Sequence, residues 1–297
     1  MSSLTLPCPA KLNLALSVGE PDATGYHPLA SWMVAIDLHD ELILTSPPGN
    51  DRPNLKFTSD ALGQHAINWP PAKDLAYRAL HALEDHTGQS LSIGIELHKR
   101  IPPGAGLGGG SSDAAGVLVG VNKLLDLKLS SDELCQLAAT LGADVAFLVK
   151  AIHGSTSAIA TGYGEQLTPL LHPKPIHLTL IWPGFGCSTA GVYQAFDALN
   201  PQKTVELERV QSLASQTRLD PNAPFNDLAE PAKRVQTQLA TVQAELQHKL
   251  RQTVHITGSG SALYVIARDA AQARNMTRLA EQIDPCKARA VSTLKSH

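Results

Sequence analysis

The sequence lacks the features that would place it among disulfide-rich, membrane or nucleic-acid-binding proteins. Its four cysteines, Cys8, Cys135, Cys187 and Cys286, form no C-x-x-C pair, which predicts free thiols in a reducing compartment, the cytoplasm. No apolar run approaches the ~20 residues of a membrane span, and no basic segment precedes an apolar one near the start, so we expect neither membrane anchor nor signal peptide. A net charge of only −3 argues against an electrostatic grip on nucleic acid or on an anionic membrane.

The length and composition are those of a globular protein with more than one core. At 297 residues the chain is long for one hydrophobic core and comfortable for two lobes. Apolar residues in period-two and helical patterns predict both strands and helices. The predicted strands cover much of residues 4–58, then 91–97, 155–160, 176–182, 254–256, 263–267 and 288–294, with a loop at 47–50. The predicted helices cover residues 73–86, 114–125, 130–141, 189–199, 230–250 and 270–282.

The most informative segment is Pro-Pro-Gly-Ala-Gly-Leu-Gly-Gly-Gly at residues 102–110, which we call the glycine loop. Five glycines within seven residues let the backbone take positive φ and approach a ligand closely. Ser111, Ser112 and Asp113 follow, and then a strongly apolar segment that predicts a helix. A glycine-rich loop that leads into a helix presents backbone N–H groups and the positive end of the helix dipole to an anion. The sequence therefore predicts a phosphate site for a nucleotide.

Three other nucleotide-binding motifs fit this sequence poorly or are absent from it. Gly104, Gly106 and Gly109 match G-x-G-x-x-G, but the dinucleotide fold requires an early βαβ unit, whereas roughly a hundred mostly β residues come first here. No lysine follows the glycines, so the Walker pattern is absent. The H-R-D and D-F-G signatures of protein kinases are absent as well.

The glycine loop resembles the phosphate-binding motif P-x-G-x-G-L-G-[SG]-[SG]-[SG] of the GHMP small-molecule kinases. Two further segments, Pro-Ala-Lys-Leu-Asn-Leu at residues 9–14 and Thr-Gly-Ser-Gly-Ser at residues 257–261, resemble the family's other motifs and fall in the same order. The resemblance implies an α+β, two-lobed GHMP kinase fold. Its N-terminal ribosomal-protein-S5-like lobe would cover residues 1–175 and its C-terminal ferredoxin-like lobe residues 176–297.

The same resemblance implies ATP and Mg²⁺ as cofactors. The phosphates would be bound by the loop and the serines after it: Pro103, Gly104, Ala105, Gly106, Leu107, Gly108, Gly109, Gly110, Ser111 and Ser112. The hydroxyl of Ser111 or Ser112 would contact phosphate or Mg²⁺. The sequence places no second carboxylate beside the candidate base, Asp144, to hold the metal, so we predict no metal ligand.

Additional segments are similar to one branch of the family, which phosphorylates the 2-hydroxyl of a cytidine-diphosphate-linked sugar alcohol on the route to isoprenoid precursors. These segments are residues 24–28, 104–115, 141–145, 162–165 and 225–228. Two positions depart from the branch's usual pattern: Ala146 stands where a proline is common, and Asp74 where an asparagine that contacts adenine is often found. The alternatives are a sister kinase acting on mevalonate or homoserine, and a non-catalytic GHMP-fold sensor that binds nucleotide.

The catalytic candidates are Asp144 and Lys11. Phosphoryl transfer to an alcohol needs positioning, charge neutralisation and usually a base for the hydroxyl proton. Asp144 is a lone carboxylate in an apolar run, where burial would raise its pKa and a nearby cation would lower it. Lys11 is the candidate for that cation and for a contact to the γ-phosphate. Asn13, on the same strand face as Lys11, would orient the hydroxyl or a phosphate.

The candidates for substrate binding lie in two segments. The resemblance implies that Tyr26 stacks on cytosine and that His27 forms hydrogen bonds with it. Thr189 would bind substrate, and Tyr193 would form the second wall of the cytosine site, with core packing as its alternative role. Asp113 is interpreted as structural, a carboxylate that favours the dipole of the helix after the glycine loop.

Overall fold

The computed structural model describes residues 2–46, 55–59, 73–171, 174–199 and 202–296, and the predicted loop at 47–50 lies outside them. The chain forms two compact units. The first unit comprises Met1–Ala10, Leu38–Pro102 and Gly108–Thr156, and the second comprises Lys11–Asp37, Pro103–Leu107 and Ser157–His297. Strands β1 (Ser2–Val18) and β2 (Leu29–Ser46) contribute residues to both units. The lobe boundary at residues 175 and 176 stays a prediction.

Among the described residues, the first unit combines one sheet with four helices. Its strands follow the order β3 (Leu55–Ser59), β4 (Gly94–Lys99), β2, β1, with β4 antiparallel to β2 and parallel to β3. Its helices are α1 (Leu75–Thr87), α2 (Gly109–Leu124), α3 (Ser131–Leu141) and α4 (Ala143–Ile152). Residues 112–121 of α2 are all buried, as the apolar sequence predicts. A Cβ at Gly116 would lie 2.4 Å from Cys8 Sγ, so glycine lets α2 approach the sheet closely.

The second unit holds two sets of strands. The end of β1 pairs with β8 (Phe225–Asn226), and the start of β2 pairs with β5 (Ser157–Thr161), which pairs with β6 (Gln166–Pro169). A separate antiparallel sheet has the order β11 (Lys287–Ser292), β7 (His177–Trp182), β10 (Leu263–Ala267), β9 (His255–Ile256). The helices are α5 (Thr189–Leu199), α6 (Leu207–Ala214), α7 (Ala229–Val235), α8 (Thr237–Leu250) and α9 (Ala270–Ala280).

The structure confirms the α+β class and corrects several predicted elements. The capping box at Ser130 is present, since its side chain accepts from Glu133 N and Glu133 accepts from Ser130 N. Helix α2 starts at Gly109, five residues before the predicted start at residue 114. The predicted helix over 230–250 is two helices, α7 and α8, separated at Gln236, where no glycine or proline marks the break. Helices α4 and α6 were not predicted as elements.

The cysteines carry no bridge. All four are free, as predicted; Cys8 and Cys286 are buried, and Cys135 and Cys187 are partly buried. Burial is the main cause that raises the pKa of the Cys8 thiol well above its ordinary value. Within the described ranges no helix is both long enough and apolar enough to span a membrane.

Candidate active site

The first half of the glycine loop alternates between glycines and buried side chains. Gly104, Gly106 and Gly108 have positive φ angles of 66°, 78° and 71°. Ala105 and Leu107, between them, are each 1% exposed. A Cβ at Gly104 would meet no atom closer than 4.0 Å, so backbone is open there. The two apolar side chains therefore anchor the loop, while Gly104 leaves the backbone at its position accessible to a ligand.

Three sequence motifs meet around Lys11 in the second unit. The buried Lys11 donates its backbone N–H to Leu107 O (3.0 Å) and a hydrogen bond from Nζ to Asn13 Oδ1 (2.8 Å). A Cβ built on Gly258 would lie 3.3 Å from Gly106 O, 3.4 Å from Asn13 Oδ1 and 3.6 Å from Lys11 Nζ. The predicted common face of Lys11 and Asn13 is thus confirmed, and residues 257–261 lie beside the glycine loop.

The segment at residues 257–261 is positioned by residues that sequence reasoning missed. Asn226 donates from Nδ2 to Ile256 O (2.9 Å) and to Gly258 O (2.7 Å), which fixes the start of the segment. Thr257 Oγ1 accepts from Asn13 N (3.0 Å), and a Cβ at Gly106 would lie 2.7 Å from Thr257 O. The signal for Asn226 was its place in the segment 225–228, to which no role had been assigned.

Thr189 and residues 257–261 are also connected. Thr189 is the first residue of α5, as predicted, and its Oγ1 lies 2.9 Å from Ser259 Oγ. Ser261 Oγ donates to Phe185 O in the segment before α5. The candidate substrate residue Thr189 is therefore in hydrogen-bond contact with the segment that borders Asn13.

Helix α2 begins without a side-chain cap. Its N-cap residue, Gly108, has no side chain, and no side-chain hydrogen bond caps the helix. The first N–H groups of this 16-residue helix therefore suit an anion, which the helix dipole also favours. Ser112 Oγ is buried and donates to Pro9 O (2.7 Å), whereas Ser111 is half-buried. Of the two serine side chains, that of Ser111 is the more exposed.

Asp144 lies in the first turn of α4 and is half-buried, not fully buried as its apolar surroundings in the sequence suggested. The apolar residues after it, Val145 to Val149, are the buried part of this helix. A carboxylate in the first turn interacts favourably with the positive end of the helix dipole. The carboxylate is thus held at the end of a helix whose other side chains fix its position.

The aromatic candidates fall into two pairs. Tyr26 is 67% exposed, and its ring centroid lies 5.8 Å from that of Tyr163, in an edge arrangement. His27 lies 4.9 Å from Tyr193, centroid to centroid, and its Nδ1 donates to Gly19 O (2.9 Å), since a carbonyl oxygen only accepts. Tyr193 is half-buried against the core, so it packs on that core and also adjoins His27. The structure brings Tyr193 to His27, while the ring beside Tyr26 is Tyr163.

Asp22 organises the turn that carries Tyr26. Its Oδ1 accepts from Thr24 N (2.8 Å) and Tyr26 N (3.3 Å), and its Oδ2 accepts from Tyr163 Oη. Hydrogen bonds from the Thr24 and Tyr163 side chains lower the pKa of Asp22 to about 2. The sequence marks Tyr163 only as part of the segment 162–165 and does not predict its hydrogen bond to this turn.

Asp113 has a different role from the one expected. Because α2 starts at Gly109, Asp113 lies beyond the first turn and is buried. Its Oδ2 accepts from Lys99 Nζ, which also donates to Asp40 Oδ2. Burial raises the pKa of Asp113 to about 8, despite the opposing effect of Lys99. The residue is structural through its hydrogen bond with Lys99 and not through the helix dipole.

The two positions that depart from the branch pattern have clear structural surroundings. Asp74 is the N-cap of α1, where its Oδ1 accepts from Ala76 N (2.8 Å). Ala146 is buried in α4, two residues after Asp144.

In the described part of the chain, no group of three or more His, Cys, Asp or Glu side chains is arranged to hold a metal ion.

Comparison with known proteins defines first the class and then the family. Residues 74–164 match the GHMP kinases N terminal domain, and the fold with its glycine loop is that of this class of kinases. A 4-diphosphocytidyl-2-C-methyl-D-erythritol kinase of Desulfitobacterium hafniense (strain Y51) is 36% identical over 276 residues, which cover 91% of this chain and 89% of the relative. The chain belongs to the 4-diphosphocytidyl-2-C-methyl-D-erythritol kinase family.

Solved structures agree with this family. A crystal structure of 4-(cytidine 5'-diphospho)-2C-methyl-D-erythritol kinase is 31% identical, with a TM-score of 0.77 over 98% of this chain and 99% of that one. The L. major mevalonate kinase, crystallised with R-mevalonate, has a TM-score of 0.69 over 99% of this chain and 97% of that chain at 14% identity. The second likeness shows the fold alone.

Proposed function

We propose that this chain transfers the γ-phosphoryl group of ATP to the 2-hydroxyl of 4-diphosphocytidyl-2-C-methyl-D-erythritol, giving the 2-phosphate and ADP, as a step towards isoprenoid precursors. The identity of 36% to a kinase of that name along nearly the whole chain supports the substrate. The observation that carries the chemistry is the grouping of Lys11 Nζ and Asn13 Oδ1 beside the backbone of Gly106 and Gly258.

ATP would be held by the glycine loop and the start of α2. The backbone N–H groups of residues 106–111 would bind its phosphates, which the uncapped helix start supports. Ser111 would add a hydroxyl contact. Mg²⁺, bound with the nucleotide, would neutralise phosphate charge; it commonly keeps waters and phosphate oxygens with only one or two protein carboxylates.

Asp144 would accept the proton of the 2-hydroxyl as general base. A half-buried carboxylate fixed at a helix start loses little freedom when it orients a hydroxyl, which supports the role. Lys11 and the N–H groups of the glycine loop would stabilise the charge on the transferred phosphoryl group. Asn13, held by Lys11 and by Ser31 Oγ (2.7 Å), would orient the hydroxyl or a phosphate.

The cytidine end of the substrate would lie at Tyr26, His27 and Tyr193. The exposed ring of Tyr26 offers a face for stacking, and the contact of His27 with Tyr193 gives a second aromatic surface. Thr189 would contact the substrate from the start of α5. Mevalonate and homoserine carry no base to stack, so Tyr26 and His27 favour the cytidine substrate. These sister kinases and a non-catalytic sensor are not favoured.

Turnover of ATP with 4-diphosphocytidyl-2-C-methyl-D-erythritol tests this proposal. Asp144→Asn should lower kcat by about 100-fold or more, because a positioned base contributes that much to proton transfer. Tyr26→Ala should mainly raise KM for the cytidine substrate and leave KM for ATP unchanged, because it removes binding that is equal in the ground and transition states.

Asp132→Asn is the matched control, because it removes a carboxylate that is 87% exposed on α3 and should keep wild-type kcat. If the wild-type protein binds ATP but does not phosphorylate 4-diphosphocytidyl-2-C-methyl-D-erythritol, the proposed substrate is wrong. An Asp144→Asn variant with wild-type kcat would overturn the assignment of the base.

A further inference from the structure

A buried carboxylate, that of Asp40, binds the two residues that precede the glycine loop. Asp40, on β2, is 0% exposed, and its Oδ1 accepts hydrogen bonds from the backbone N–H groups of Arg100 and Ile101, the latter at 2.8 Å. Arg100 and Ile101 are the two residues that directly precede the glycine loop. One carboxylate oxygen thus fixes the point at which the chain leaves β4. Hydrogen bonds to an ionised acceptor are stronger than those between neutral groups.

The other oxygen of Asp40 ties the same point to α2. Lys99 Nζ donates to Asp40 Oδ2 and to Asp113 Oδ2, and all three side chains are at least nine-tenths buried. Asp113 belongs to α2, the helix that begins where the loop ends. The two carboxylates raise the pKa of Lys99 above its ordinary value, although its burial acts in the opposite direction. Lys99 is therefore charged at any physiological pH.

The exit of the loop packs on the same groups. A Cβ at Gly109, the first residue of α2, would lie 3.0 Å from Ile101 Cγ2 and 3.7 Å from Asp40 Oδ2. The residue before the loop and the residue that starts α2 are therefore in contact, next to the carboxylate of Asp40. Both ends of the loop are fixed within the first unit.

We propose that Asp40 is a positioning residue for nucleotide binding: through Arg100, Ile101 and Lys99 it sets where the glycine loop starts relative to the N-terminal end of α2. This rests on the proposed function, in which that loop and helix bind the phosphates of ATP. Asp40 acts on the ligand through the backbone and does not touch it. Misplacing a positioning group by about 1 Å can lower an enzyme's rate by about 100-fold, so we expect a displaced loop backbone to weaken ATP binding as well.

The matched variants Asp40→Asn and Asp113→Asn test the proposal, since each removes one carboxylate from the same lysine. Only Asp40→Asn also disturbs the group that accepts from the backbone N–H groups of Arg100 and Ile101. The new amide nitrogen is a donor, and it would face either Lys99 Nζ or those two N–H groups, which are donors as well. We expect the dissociation constant of ATP, measured without the second substrate, to rise by about 10-fold or more in Asp40→Asn and by less than about threefold in Asp113→Asn. Amide hydrogen exchange at residues 100–110 should accelerate only in Asp40→Asn.

The result that would overturn the proposal is wild-type ATP affinity in Asp40→Asn, or equal losses in both variants. Wild-type protein gives a test that does not depend on folding of the variants: the amides of Arg100 and Ile101 should exchange as slowly as those in the middle of α2. Exchange as fast as that of Gly104 would show that Asp40 does not hold the entrance. Because ATP binding is measured alone, failure here is distinct from failure to phosphorylate the cytidine substrate.

Discussion

Lys11 and Lys99 are the two buried lysines in the described part of the chain, and their surroundings differ. Lys99, at the end of β4, pairs with two buried carboxylates, Asp40 and Asp113. Lys11, on β1, donates to the amide oxygen of Asn13 and lies near the backbone of Gly258. Both side chains are buried; Lys99 donates to two carboxyl groups of the first unit, and Lys11 donates to an amide oxygen beside the glycine loop in the second unit.

The comparison separates two uses of a buried cation. A lysine between carboxyl groups stabilises the chain around it, because removing the cation leaves a buried carboxylate without its counter-ion. A lysine among amide and backbone groups at a glycine-rich segment is suited to an anionic ligand. We therefore interpret Lys99 as part of the scaffold of the glycine loop, and Lys11 as part of the proposed chemistry.

Substituting each lysine by methionine should divide these roles most clearly. Lys99→Met should lower the free energy of unfolding by about 3–5 kcal/mol, because the buried Asp40 carboxylate loses its counter-ion and Asp113 loses its hydrogen-bond donor. Lys11→Met should lower kcat by about 100- to 1000-fold, as expected for removal of a group that stabilises transition-state charge. Urea unfolding and ATP turnover measure the two effects.

Lys123→Met is the control for both lysine variants, because it removes the same charge from an exposed position in the last turn of α2. It should match wild type in both measurements. The division of roles is wrong if Lys11→Met retains wild-type turnover, or if Lys99→Met unfolds at the wild-type urea concentration.

Substitutions at two glycines of the loop test how closely residues 257–261 approach it near Lys11. Gly104→Ala and Gly106→Ala both place a side chain at positive φ, which costs about 1 kcal/mol. The Gly104 Cβ would enter open space, whereas the Gly106 Cβ would lie 2.7 Å from Thr257 O, a backbone atom. We expect Gly106→Ala to be the more destabilising by about 1–3 kcal/mol in urea unfolding, the usual range for overpacking. Equal losses would contradict the close approach of residues 257–261 to the loop.

Much of the group of residues around Lys11 could be predicted from the sequence, because the patterns that indicate them lie within short segments. Alternation along β1 places Lys11 and Asn13 on one face, and glycines within a few residues of one another indicate a ligand loop. Thr257, which approaches Gly106, is 151 residues away along the chain, so local pattern alone does not predict the contact; the resemblance to a family predicted residues 257–261 as part of the site.

The contacts of Lys99 with Asp40 and Asp113 could not be predicted in this way. Asp40 is 59 residues from Lys99 and lies in a strand whose alternation has no special mark at that position. Asp113 looks like any acidic residue near a helix start, and only the start of α2 at Gly109 shows that it lies too far along for that role. A buried ion pair is formed by tertiary packing, and one sequence contains no record of which distant charges meet.

The pH dependence of the free energy of unfolding tests the surroundings of Asp113 beside Lys99, and its expected effect is the smallest of these predictions. Burial raises the pKa of Asp113 from 3.8 in the unfolded chain to about 8, among Asp40, Lys99, Asp74 and the Cys8 thiol. The folded state therefore binds a proton that the unfolded state has released between pH ~4 and 8, so this group's contribution to stability falls as pH rises through that window. Asp113→Asn cannot bind that proton. We expect the free energy of unfolding of wild type, minus that of Asp113→Asn, to decrease from pH 4 to 8 and then level off. A difference that stays constant or increases with pH would show that Asp113 is ionised in the folded protein throughout, with Lys99 outweighing burial.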